Sequence, residues 1–147
     1  MSKVRLNILG TQSHLDDDVS TEMTVIGELE RVEDRYILKI AEDMDSETII
    51  SVTPYGAVEI VREGAEASES YQMVFERDKA FSTNYQTPVG QMDTLIFPTL
   101  VEADMKEDAG RIDLEYVVGI MGHQIINQRS FTYTAEPQLA ADSENNL

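Results

Sequence analysis

The chain contains no cysteine. Its absence excludes disulfides, thiolate metal sites and cysteine nucleophiles together, and it suits a reducing cytoplasm, the compartment expected here. No apolar run is long enough to cross a bilayer. The N-terminal Met1-Ser2-Lys3-Val4-Arg5-Leu6-Asn7 lacks the apolar stretch of a signal peptide. Positive charge is scarce, with 11 basic side chains against 28 acidic ones and a net charge of −17. Such a surface repels phosphate backbones and anionic lipid heads, so neither nucleic acid nor membrane is an expected partner. The acids are spread along the chain rather than bunched, which fits solubility better than a docking surface for a basic partner. Histidine is also rare, with only His14 and His123.

What is present is alternation. In Arg111-Ile112-Asp113-Leu114-Glu115-Tyr116-Val117-Val118, the even positions are apolar and three odd ones are charged. Strand side chains alternate sides, so this is a strand with one face buried. The pattern recurs in residues 4–9, 23–30, 36–40, 48–52, 58–62, 71–75, 81–85 and 125–134. Turns separate these windows at Glu33-Asp34, Asp43-Met44-Asp45-Ser46, Pro54-Tyr55-Gly56, Arg77-Asp78, Pro88-Val89-Gly90 and Met121-Gly122. Residues 12–20 have loop composition, with a short helix as an option near 13–20. Gly27 falls mid-strand and marks a bend or a close backbone approach. In residues 92–105, Leu95-Ile96-Phe97 is apolar on both faces and Pro98 cannot donate to a ladder. Two strands joined by a kink or bulge at Pro98 are expected.

No stripe of helical period runs over three turns, and no long crossover separates the strands, so the pairing is antiparallel. About eight to ten strands in a meander expose long edges unless the sheet closes. The expected fold is all-β, one antiparallel meander barrel over residues 1–135, with a sandwich as the alternative and 136–147 an acidic, frayed tail.

The order of the pieces carries a resemblance. Tyr36-Ile37-Leu38-Lys39-Ile40 is followed by Val58-Glu59-Ile60-Val61-Arg62-Glu63-Gly64, Met73-Val74-Phe75-Glu76 and Tyr85-Gln86-Thr87-Pro88-Val89-Gly90. Then come Gly110-Arg111-Ile112-Asp113-Leu114-Glu115-Tyr116 and a last strand containing Asn127. This succession resembles the YwiB-like family of bacterial proteins of unknown function. It departs from that pattern at Val89, where an aromatic residue is expected. The resemblance implies a calycin, or lipocalin-like, β-barrel and supplies no reaction.

Catalytic motifs are lacking. Ser13, His14 and Asp16 share letters with a triad, but sequence neighbours rarely supply its geometry. His123 reads as a solvated turn residue. Asp16-Asp17-Asp18 lacks the glycine and the terminal glutamate of a calcium loop. Glycines occur singly, so phosphate-binding and dinucleotide fingerprints are absent. Neither an enzyme nor a cofactor is expected.

The last strand breaks the rule of an apolar interior. Ile125, Asn127, Arg129, Phe131 and Tyr133 share its inward face. A buried guanidinium must be paired. Arg129 therefore either caps the barrel, the role the lipocalin-like resemblance favours, or receives an anionic ligand group. Tyr36, Tyr71, Tyr85, Tyr116 and Tyr133 also fall on inward faces, and each hydroxyl needs a partner. With Arg129 and Asn127 they are the candidate ligand-binding residues. Two functions fit: a barrel holding a small apolar or amphipathic ligand, or an interaction or structural module, including a homodimer. Outward-facing Ile26, Ile37 and Val117 are the candidate patch for the second.

Overall fold

A computed structural model describes residues 2–14, 17–41, 46–64, 71–87, 90–120 and 122–136, with the side chains at 71, 84–87 and 90–92 excepted. Ten strands form one antiparallel sheet. They are β1 (Ser2–His14), β2 (Asp17–Val32), β3 (Arg35–Ala41), β4 (Glu47–Val52) and β5 (Val58–Glu63), then β6 (Tyr71–Phe75), β7 (Phe81–Thr87), β8 (Gly90–Met105), β9 (Ala109–Ile120) and β10 (His123–Ala135). The order across the sheet is β6-β5-β4-β3-β2-β1-β10-β9-β8-β7. Every neighbour is thus a neighbour in sequence, except that the first strand pairs with the last. The sheet curls into a nearly closed barrel, and β6 and β7 face each other across the seam.

Side chains close that seam where backbone does not. Phe75, 1% exposed, meets Phe81 edge-on with ring centroids 5.5 Å apart. Its ring also lies 4.9 Å from that of Tyr116. The β6–β7 turn contributes a further tie, because the Asp78 amide donates to the Pro98 carbonyl at 3.2 Å. Edge strands left as open ladders invite pairing with other chains, and an aromatic cluster across the gap removes that invitation.

The strands differ in length. β2, β1, β10, β9 and β8 run 16, 13, 13, 12 and 16 residues. β3 to β7 run only 5 to 7. The result is a tall wall facing a low one. At the lower end the interior is packed with aliphatic and aromatic side chains, including Val4, Leu6, Leu38, Ile50, Ile60, Ile112 and Leu114, all at most 1% exposed. Gly27 fits the expected close approach, since a Cβ there would stand 2.9 Å from the Lys39 carbonyl oxygen.

Two expectations are corrected. Residues 12–14 and 17–20 are neither loop nor helix: they extend β1 and β2, in register from His14↔Asp17 through Gln12↔Val19. Their polar composition misleads because this part of the sheet has no packed core behind it. Residues 90–105 form one strand rather than two, and the irregularity at Pro98 is a register shift between Pro98 and Leu100. The spare residue, Thr99, turns outward and its hydroxyl donates to the Glu115 carbonyl at 3.1 Å. Glu136, assigned to the tail, is still fastened to β1: its amide donates to the Lys3 carbonyl at 2.8 Å and its carboxylate meets Arg5 at 3.2 Å. The rest of the tail, the Asp43-Met44-Asp45 turn, Asp16, residues 65–70, Pro88, Val89 and Met121 lie outside the described residues.

Phe75→Ala is expected to lower stability by about 3–5 kcal/mol in chemical denaturation, because it empties the seam on both sides. A loss no larger than that of a surface substitution would show that the seam is held elsewhere.

Candidate functional site

The tall wall shelters a cavity of about 330 Å³ in the upper half of the barrel. Its wall is built from the inward rows of the long strands: Gly10 and Gln12 of β1, Val19 and Thr21 of β2, Thr94 and Ile96 of β8, Tyr116, Val118 and Ile120 of β9, and Ile125, Asn127 and Arg129 of β10. Met73 and Thr83 contribute from the low wall. Such a volume lies at the small end of ligand pockets.

Arg129 is the only cationic side chain lining this cavity among the described residues. The ladder places it between Gly10 of β1 and Leu114 of β9. Gly10 brings no side chain of its own, and the Thr21 hydroxyl stands 3.2 Å from where its Cβ would be. Arg129 is half-buried, and its side chain makes no hydrogen bond or ion pair with any described residue. A cap would hold carbonyls or a carboxylate, and none of the described residues supplies one. Asn127, 5% exposed, donates from Nδ2 to the Ile125 carbonyl over a long 3.4 Å. Thr94, 2% exposed, also lines the cavity, and its hydroxyl has no hydrogen-bond partner among the described residues. A buried hydroxyl without a partner costs about 1–3 kcal/mol, and a polar ligand atom or water would relieve it.

Of the sequence candidates, the structure brings Arg129, Asn127 and Tyr116 together in the cavity wall. Tyr36 and Tyr133 stand at the opposite end. Tyr36 lies under the Arg31 guanidinium, 5.6 Å from its ring centre. The Tyr133 hydroxyl donates to the Lys106 carbonyl at 2.5 Å and accepts from the Lys106 amide at 3.1 Å. The Tyr133 ring lies against Gly110, its ladder partner, where any Cβ would collide with it. The side chains of Tyr71 and Tyr85 lie outside the described residues. Thr94 escaped the sequence reading because Leu95-Ile96-Phe97 hides the alternation around it.

The two histidines, 109 positions apart, meet at the rim: His14 Nε2 lies 3.3 Å from His123 Nδ1, and the rings cross at 82°. His123 is therefore more than a solvated turn residue, and neither histidine is part of a Ser-His-Asp arrangement among the described contacts. No group of three or more His, Asp or Glu side chains converges among the described residues. No helix among them is long and apolar enough to cross a membrane.

These features define a nearly closed, ten-stranded antiparallel barrel with a small cavity of mixed apolar and polar lining under one rim. The chain belongs to the family described as a domain of unknown function (DUF1934), which matches residues 6–130. Among solved structures it is similar to the ywiB protein from Bacillus subtilis, with a TM-score of 0.78 at 19% identity over 92% of this chain and 93% of that one. At that identity the likeness speaks for the fold. No curated protein sequence matches the chain.

Burial pushes the Tyr133 hydroxyl pKa up to about 12 from its ordinary 10.0. The neutral form is the one favoured by folding. Its stabilisation is fully present below about pH 10 and is lost as pH rises toward about 12. Tyr133→Phe is expected to cost about 1 kcal/mol at neutral pH through the lost bond to Lys106. It should also flatten the decline in stability above about pH 10, read by urea denaturation across that range. An identical alkaline decline in the variant would remove Tyr133 from this role.

Proposed function

We propose that the barrel binds a small amphipathic ligand, in the manner of a lipocalin-like protein, with an acidic head group against Arg129. The observation that carries this reading is the Arg129 guanidinium, half-buried in the cavity wall with no partner among the described residues. A carboxylate or phosphate answers the guanidinium fork with two parallel hydrogen bonds. Asn127 and the unpartnered Thr94 hydroxyl stand on the same wall to orient the polar end. Val19, Met73, Ile96, Val118, Ile120 and Ile125 offer the apolar surface for the rest of the molecule. The reading is of a cytoplasmic binding protein rather than an enzyme. Its support is the absence of cysteine and of any catalytic motif in the sequence.

Binding is tested with a fluorescent naphthalene sulfonate, an amphipathic anion, and short-chain carboxylates as competitors. Arg129→Met is expected to weaken binding roughly ten- to a hundredfold, the worth of a hydrogen bond to a charged group, while leaving the melting temperature unchanged. Unchanged binding with a lowered melting temperature would make Arg129 structural and overturn the proposal.

A second reading, self-association, has one observation in its favour. Phe97, Val117 and Ile126 are ladder partners on the outer face of β8, β9 and β10. Phe97 and Ile126 are 43% and 50% exposed, and Leu95, two residues from Phe97, is 54% exposed. Val117 is part of this row, whereas Ile26 and Ile37 sit on β2 and β3, away from it. A contiguous apolar row on a sheet face is a docking surface for a second copy. Sedimentation velocity should then give a dimer that Phe97→Lys converts to monomer; a wild-type monomer at high concentration rejects this reading.

A further inference from the structure

The histidine pair at the rim has a geometry that one hydrogen bond does not use up. β1 and β10 turn alternate residues inward, and Gln12 and Ile125 are cavity-lining members of those rows. His14 follows Gln12 by two residues and His123 precedes Ile125 by two, so both imidazoles continue the inward rows to the lip of the cavity. His14 is the last residue of β1 and His123 the first of β10. The fold thus brings the only two histidines of the chain to one point from opposite ends of the sequence.

We infer that His14 and His123 form a binding site for a divalent transition-metal ion, zinc or copper, at the mouth of the cavity. Histidine nitrogens bind zinc at about 2.0–2.1 Å, and two such nitrogens on one tetrahedral ion stand about 3.3 Å apart. The separation of Nε2 and Nδ1 is 3.3 Å. The ion therefore fits between the rings once both are neutral and the shared proton has left. The rings stand nearly perpendicular, at 82°, and as the ends of an exposed and a partly exposed side chain they can turn so that both lone pairs meet at one ion. No third His, Asp or Glu converges there among the described residues, so two positions remain for water or another ligand. His123 is exposed and His14 partly so, which leaves those positions accessible. The net charge of −17 raises the local concentration of cations around such a site. With two protein ligands the affinity is modest, and it follows the order in which copper exceeds zinc. The inference is independent of the ligand reading for Arg129.

The test uses the metal-free full chain and the metals alone. Calorimetric titration with zinc chloride should show one equivalent bound, with copper tighter, whereas calcium, which imidazole does not favour, should not compete. His14→Asn and His123→Asn should each weaken zinc binding at least tenfold. In proton NMR of the wild type, zinc should shift the ring signals of both histidines together and saturate at one equivalent. Zinc affinity retained by either variant would overturn the inference, because it would mean that surface carboxylates bind the ion. So would zinc that moves one histidine or neither, a readout independent of how the variants fold.

Discussion

The seam between β6 and β7 is the constraint on which the rest of the barrel depends. Nine ladders join ten strands, and the tenth junction is made by Phe75 and Phe81 in edge-to-face contact. Such a pair adds about 0.5–1.5 kcal/mol beyond the area it buries. Phe75 also supports Tyr116, whose ring is part of the cavity wall. The same residue therefore closes the sheet and braces the site. The turn beyond β6 docks on the Pro98 carbonyl, where β8 shifts register, so the irregularity in β8 and the closure of the barrel are one feature.

Unequal strand lengths then divide the interior. Where short and long strands overlap, side chains from both walls pack into one apolar core. Where the long strands continue, facing side chains are fewer, and the inward positions include Gly10, Thr21, Thr94, Asn127 and Arg129. Polar residues there cost less than in the core because space and solvent or a ligand meet them. Tyr133 marks the contrast: at the closed lower end, both hydrogen-bonding functions of its hydroxyl are spent on Lys106.

Much of this was legible in the sequence. Alternation in residues 111–118 and 125–134 gives β9 and β10 and assigns Arg129 and Asn127 to the inside, because one-face burial fixes the pattern strongly. It fails in residues 12–20, where strands without a packed core behind them carry the polar residues of a loop. It also fails at Thr94, whose inward row is masked by outward Leu95 and Phe97. The cavity depends on strand lengths and the histidine pair on ladder register. Neither is a local property, so no window of sequence contains them.

An acidic ligand held at Arg129 accounts for a cation left without a partner among the described residues, in a cavity where the Thr94 hydroxyl has no partner among those residues and Asn127 donates only one long hydrogen bond. Native mass spectrometry of the protein from its own host asks the question directly, since it needs no prior choice of ligand. The account predicts a small-molecule adduct on the wild type that is lost from Arg129→Met. A wild type that flies bare, or an adduct retained by the variant, would contradict it.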